Sequence, residues 1–563
     1  MDKSSKTLNG ETFYYLVQNG FAHLYNNKEI INDLNVFPIP DGDTGDNMTL
    51  TLSGGVKAMH MGGNLGAVAD RLAEGMLLNA RGNSGVIFSQ LFAGLADGLR
   101  GKESANYIEM LDALKSAVSR GYSAVVNPTE GTMLTVARES SENLANRITA
   151  ETSLNEFLTA LLDEISQSVS RTTEMLDVLK QAGVVDSGGA GLMYFVEGAL
   201  LGLNGETVYD ENEQYKLSNP TNDFDPTCFN EDSKMEYGYC TEFLLQLLNS
   251  KTDIAHFSVQ TIIDYLETLG DSIVAFQTGT VVKVHVHTFT PGKVFEFCQQ
   301  FGEFITLKVE NMTIQHNSKS ATPHEHSKAG NLQSSAVAKR KKRKPFAVVA
   351  VASGEGICNA FYELGADVVV QGLQTKNPST QDFLQAFDKA DADTIFVLPN
   401  NGNIRLAAEQ AAGMYPKSDV RVIDTKSLGE GYAVLSMLDY SPANVEGIIE
   451  GILAAKEGVQ TCCVTHAIRN VVLDGVDVVE GNYIGFCDKT MLASTADCVE
   501  TALQSMEKLS AANRDVIIAI YGAETTAEQR ETLANEIAIR YPNVEFFAID
   551  GGQEVYNFII VLE

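Results

Sequence analysis

The chain has no apolar run near the roughly 18 to 20 residues that crossing a bilayer requires, and its first residues, MDKSSKTLNGETFYY, lack the apolar core of a secretory signal. Neither stable membrane insertion nor export is expected, and the expected setting is the cytoplasm. Cysteine is sparse: the eight residues show no paired spacing apart from the vicinal Cys462 and Cys463, so neither a disulfide framework nor a CxxC zinc ribbon is suggested. Positive charge is scarce too. A formal net charge of -32 repels nucleic acid unless a segregated basic patch intervenes, and no nucleic-acid partner is expected. The one candidate patch, Lys339 to Lys344, follows SKSATPHEHSKAGNLQSSAVA and reads as a solvated linker, with an anionic membrane or nucleic acid as the alternative contact. A GxxxxGK[ST] phosphate loop is missing, as is the HRD and DFG pair of protein kinases. A nucleotide would therefore have to be held by metal and helix ends.

What is present falls into regions of different period, as 563 residues require several cores. From residue 10 to about 203 the apolar spacing stays near 3.6, in segments such as LGAVADRLAEGMLL and LNEFLTALLDEISQSV, which predicts an all-α bundle. Residues 235 to 310 read as strand, helix, two strands joined by a tight turn, helix, strand: the β-α-β-β-α-β order of a ferredoxin-like sandwich. Beyond the linker, short apolar strands such as FAVVAVA, TIFVLPN, QTCCVT and FIIVLE alternate with helices and predict buried parallel sheet in two α/β lobes. The expected class is a multidomain α and α/β protein: an all-α domain over 1–203, an α+β domain over 204–316, a flexible basic linker over 317–344 and a two-lobed α/β domain over 345–563.

The stretch NVFPIPDGDTGDNMTLTLSGG, residues 35 to 55, sets Asp41 and Asp43 on either side of Gly42, after a stiff Pro-Ile-Pro and before a helix start. Two carboxylates so close repel each other unless a cation joins them. Mg2+ suits oxygen ligands and commonly keeps water and phosphate in its other positions. An Asx-rich turn capping a helix is the plainer reading. Three further glycine-rich stretches weigh against it: Thr51 to Gly55 (with Ser53 and Gly54), Ala80 to Gly85 (with Gly82, Asn83 and Ser84) and Asp186 to Gly191. Each is expected to put backbone N–H groups at a helix start, an anion-binding geometry.

NVFPIPDGDTGDNM, ARGNSGVIFSQ, EGTMLTVAR and VDSGGAGL resemble the DhaL-type domain, the ATP-binding subunit fold of bacterial dihydroxyacetone kinases. With GLQTKNPSTQD, LPNNGNI and GGQEVYNFIIVLE, the resemblance extends over essentially the whole chain to the catalytic chains of bacterial fatty acid kinases. It implies a DhaL-like helical barrel carrying ATP and two Mg2+, with Asp41 and Asp43 as the main ligands. Asn35, one residue out of register with a further aspartate of the dihydroxyacetone kinases, is the third candidate ligand. Thr44, Gly45, Asp46, Asn47, Ser84, Gly85, Thr132, Met133, Asp186, Ser187 and Gly188 fall at nucleotide-contacting positions. Asp46 reads as a helix-start charge, a third metal ligand being the alternative. The resemblance further implies a separate DegV-type fatty-acid-binding protein that presents the substrate, docked by the C-terminal region, and a homodimer coupled through the middle domain. The expected reaction turns ATP and fatty acid into ADP and acyl phosphate; a triose kinase with a separate partner chain, or a non-catalytic nucleotide-binding regulator, are the other readings.

A carboxylate acceptor fits the residues. A fatty acid is already an anion at neutral pH and needs no general base, so the demand falls on suppressing charge repulsion. Arg81 is the candidate for stabilising transition-state charge. In TVVKVHVHT the alternation puts Val282, Val284 and Val286 on one sheet face and Lys283, His285 and His287 on the other, where Cys240 is also expected. Cys240, His285 and His287 look like a Cys and two His implicated in function in the family's middle domain. Their role is read as a Zn2+ site with a vacant position, or as direct contact with the acyl carboxylate.

Overall fold

A computed structural model of the chain describes residues 2–34, 42–206, 239–254, 257–266, 268–278, 280–311, 343–372, 377–438 and 445–563. It divides into two compact units, residues 1–214 with 340–563, and residues 215–339. Asn35 and Asp41, His316, His324 and His326, and the basic run up to residue 342 lie outside the described residues.

The first unit opens with helices α1 (Gly10–Asn26), α2 (Lys28–Asp33), α3 (Thr44–Ala58), α4 (Leu65–Asn79), α5 (Gly82–Leu99), α6 (Tyr107–Ser123), α7 (Met133–Leu144), α8 (Leu154–Met175), α9 (Asp177–Ala182) and α10 (Ser187–Asn204). Side chains set their starts: Asn106 with Glu109 and Ser153 with Glu156 form reciprocal capping boxes on α6 and α8, satisfying amides that have no partner inside the helix. A pair of short strands departs from the all-helical expectation. Strand β1 (Thr7–Asn9) pairs antiparallel with β2 (Ser104–Asn106), and each ends on an asparagine that caps the next helix, Asn9 for α1 and Asn106 for α6. Three-residue strands carry no readable period, so only the cap signal is visible in the sequence.

The rest of this unit holds two sheets. Strands β7 (Lys344–Ala352), β8 (Val368–Gln371), β9 (Ala392–Leu398) and β10 (Asp419–Val422) form a parallel sheet ordered β10-β9-β7-β8. Strands β11 (Gln460–His466), β14 (Tyr483–Cys487), β15 (Thr490–Thr495), β16 (Val516–Tyr521), β17 (Glu545–Asp550) and β18 (Phe558–Leu562) form a second, ordered β15-β14-β11-β18-β16-β17. Between β11 and β14 in the chain, β12 (Val471–Leu473) and β13 (Val476–Val478) make a separate hairpin. The expectation of parallel sheet throughout is corrected here: in the second sheet only β16 and β17 run parallel, and every other pair is antiparallel. Continuous apolar strands report burial on both faces, and strands of either direction meet that condition. The linker boundary also moves. Arg343 hydrogen-bonds to Asp391, Ser418 and the carbonyls of Ala392 and Lys417, and Lys344 begins β7, so the end of the basic run is anchored structure.

The second unit, taken by itself, runs β3 (Tyr239–Leu247), α11 (Gln260–Leu266), β4 (Gly270–Thr278), β5 (Val281–Thr288), α12 (Pro291–Cys298) and β6 (Gly302–Asn311). Its antiparallel sheet is ordered β4-β5-β3-β6, the arrangement that two split βαβ units give in a ferredoxin-like sandwich. Phe243 and Leu245 of β3 pack with Val282, Val284 and Val286 of β5 in one buried cluster.

Candidate functional site

Four helix starts meet in the helical region. The N-terminal residue of α10, Ser187, donates its hydroxyl to Thr44 at the start of α3 (3.2 Å). Asp186, the N-cap of α10, accepts the Gly189 amide at 2.7 Å and further backbone N–H groups from Gly188 and from Met133, the first residue of α7. Gly82, the first residue of α5, lies so close to Asn47 of α3 that a Cβ would stand 2.4 Å from Nδ2. It also has φ +57, a conformation that suits glycine. Gly85 repeats the pattern one turn on, its absent Cβ falling 2.3 Å from the Thr51 hydroxyl. Orphan amides and aligned dipoles of α3, α5, α7 and α10 therefore make one electropositive region.

Two carboxylates face it. Burial pushes the Asp43 carboxyl up to about 6, against hydrogen bonds from Asn47 and Asn377 that hold it down. Among the described residues no lysine or arginine pairs with it. Asp186 is likewise pushed up to about 6 by burial, opposed by its three backbone donors. Desolvated carboxylates beside several helix N-termini suit a hydrated divalent cation with a phosphate-bearing ligand, since each supplies the charge the other lacks.

Several candidate residues have different neighbours from those the sequence suggested. Asp46 is engaged by Lys28 at 2.9 Å and by the Asn32 amide at 2.8 Å, while Asn32 also accepts the Gly45 amide. It behaves as a helix-start charge held in a local network. Ser53, Gly54 and Gly55 do not form a helix-start loop. They lie inside α3, where the glycines pack against Asn79, Met76 and Leu72 of α4, and their amides belong to the helix. Thr132 caps α7 and donates its hydroxyl to the Thr129 carbonyl.

Arg81 points elsewhere than expected. Its Nη1 donates to the Asn377 carbonyl at 2.6 Å, and its Nη2 lies 3.7 Å from Asp382. Asn377, buried at 3 % exposure, sends its side-chain amide to both Asp43 and Asn47. Its Oδ1 has no partner, and neither does the buried Oδ1 of Asn83. Asn377 received no role from the sequence: it is 334 positions from Asp43, and an Asn-Pro pair by itself signals only a turn.

In the second unit, the backbone register pairs Cys240 with His287 and Glu242 with His285 across β3 and β5. These positions alternate with the buried Thr241, Val284 and Val286. Among the described residues no group of three His, Cys, Asp or Glu is placed to hold a metal.

This is a multidomain α and α/β protein whose helical region matches the DAK2 domain model over residues 38–201. Residues 236–319 match the FakA-like middle domain, and residues 347–563 the FakA-like C-terminal domain, both defined on fatty acid kinase. Protein YloV of Bacillus subtilis is 35 % identical over 566 residues, covering 100 % of both chains, and a Staphylococcus saprophyticus protein is 34 % identical over 99 % of both. The chain belongs to the FakA-like family of fatty acid kinase proteins, whose relationships are to kinases. Among solved structures, a fatty-acid-binding DegV family protein from Thermus thermophilus matches 39 % of this chain and 99 % of its own (TM-score 0.30, 14 % identity). The dihydroxyacetone kinase of C. freundii with AMP-PNP and Mg2+ matches 34 % of this chain and 33 % of its own (TM-score 0.27, 20 % identity). Among the described residues no helix is long and apolar enough to cross a membrane.

Proposed function

We propose that this chain is the catalytic component of a fatty acid kinase, transferring the γ-phosphoryl group of ATP to a fatty acid presented by a DegV-type carrier and releasing acyl phosphate and ADP. The observation that carries the reading is the convergence of four helix N-termini on Asp43 and Asp186, within a chain of this family. Bound Mg2+, held by Asp43 with Asp41 and Asn35 as further candidates, would supply the charge neutralisation that lets an anionic acceptor approach a triphosphate.

The chain's own groups supply the rest. Amides at the starts of α3, α5, α7 and α10, around Thr44 to Asn47, Gly82 to Gly85, Thr132 and Met133, and Ser187 and Gly188, hold phosphate oxygens. Asp186 ties the starts of α7 and α10 together and so fixes where those amides point. The acceptor's carboxylate oxygen bonds to the γ-phosphorus as the bond to the bridging β–γ oxygen breaks, and no proton needs to move. Arg81, once free of its present partners, is the side chain suited to the charge that develops. Cys240, His285 and His287 form a second functional group in the middle domain, with Zn2+ or the acyl carboxylate as ligand, and that domain joins two copies of the chain.

The test is acyl phosphate formation by the purified chain with ATP, Mg2+, a fatty acid and a candidate carrier, trapped with hydroxylamine. Phosphorylation of a triose without the carrier would replace this reading with a triose kinase. Tight ATP binding with no turnover on either acceptor would point to a regulator.

A further inference from the structure

We propose that the segment Asn377–Asp382 of the C-terminal domain is an intramolecular stopper on the phosphoryl-transfer site, engaging Asp43 and Arg81 together so that it must withdraw before a metal-nucleotide complex can use them. This rests on the reading of the helical region as a nucleotide site.

Both reactive side chains are engaged by the same short stretch. Asn377 donates to Asp43 Oδ2, the kind of oxygen to which Mg2+ must approach within about 2.1 Å while keeping room for its waters. Arg81 is turned toward the Asn377 carbonyl and the Asp382 carboxylate. Backbone contacts seat the stretch: the Thr380 amide donates to the Ala80 carbonyl at 3.1 Å, and Arg81 and Ser379 form an isolated antiparallel bridge. A second row of contacts lies along α5, where Gln90 bonds to Gln410 of the helix Gly402–Met414, and Gln410 reaches the Leu77 carbonyl. Ala80 and Val86 share a buried core with the strands of the first sheet.

The seat is incompletely satisfied. Asn377 Oδ1 and Asn83 Oδ1 are buried without partners on the two sides of this contact, a standing cost that weakens it. It also brings Asp43 out of water without giving it a cation. A ligand that supplies positive charge to Asp43 and anionic oxygens to Arg81 satisfies both groups better than the stopper does. Binding and withdrawal are therefore linked, and the fraction of chains already open scales the apparent affinity.

The test uses the full chain in two opposite perturbations, with Mg2+ and AMP-PNP as the probe in calorimetry. In Gln90→Cys/Gln410→Cys, joined by a reducible bis-maleimide linker, the stopper is held in place. Binding should weaken at least tenfold and return when the linker is cleaved, which also shows that the protein stayed folded. In Asn377→Ala the stopper is weakened, and binding should tighten by roughly fivefold to tenfold. A linked chain that binds as tightly as the cleaved one overturns the proposal, as does weaker binding by Asn377→Ala, which would make Asn377 part of the nucleotide site. No binding by any form, the opened one included, overturns the nucleotide reading itself and the stopper with it.

Discussion

Replacing Asp43 by asparagine should make the ligand-free protein more stable while removing its activity. The carboxyl is held at about 6 in the fold, against an ordinary 3.8. At about 1.4 kcal/mol per pH unit, that difference corresponds to about 3 kcal/mol of destabilisation when the group is ionised. The folded state binds the proton more tightly than the unfolded one. The penalty is therefore absent below about pH 3.8, grows as pH rises toward 6, and is complete above it. Asn47 and Asn377 keep an amide oxygen to bond in Asp43→Asn, so most of the geometry survives. Urea unfolding followed by helical circular dichroism at about pH 7.5 should show the variant gaining up to about 3 kcal/mol, with the gain shrinking toward zero near about pH 4. Mg2+ with ATP should stabilise the wild type by about 2.7 kcal/mol at a hundred times its dissociation constant and leave the variant unmoved. If Asp43→Asn loses stability at neutral pH, the carboxylate is satisfied by the protein alone and the argument for a cation there fails.

The remaining predictions probe other levels. Gly85→Ala would place a methyl 2.3 Å from the Thr51 hydroxyl and 3.1 Å from the Asn47 carbonyl, so it should cost about 1 to 3 kcal/mol and weaken nucleotide binding as α5 is displaced; unchanged values of both would contradict the close approach. Ser153→Ala removes a capping box on α8 and should cost about 1 kcal/mol in unfolding without altering kcat, whereas a fall in kcat would tie α8 to the chemistry. Cys240→Ala, compared with wild type by elemental analysis and by acyl phosphate formation, separates the two ligands proposed for the middle domain. Lost zinc supports the metal, lost activity without metal in either protein supports contact with the acyl group, and full activity with no metal in either removes the cluster from the mechanism.

Much of this was written in local pattern. A 3.6-residue period announces helices because each buries one stripe, and runs such as FAVVAVA announce strands buried on both faces. Helix starts at Thr44, Gly82, Met133 and Ser187 carry cap residues or glycines that can be read one at a time. Glycine proved ambiguous where packing decided. Gly54 and Gly55 look like a loop by propensity, yet close contact with α4 keeps them helical.

Strand direction and long-range convergence belong to tertiary structure. Either direction buries the same apolar faces, so β11 and β18 could be recognised as strands but not as antiparallel neighbours. Likewise Asn377 is an ordinary turn residue until the chain folds and sets it against Asp43 and Arg81. Local sequence sets which backbone states are cheap for each residue; which distant groups then share one desolvated space depends on how whole elements pack, and a one-dimensional pattern does not carry that information.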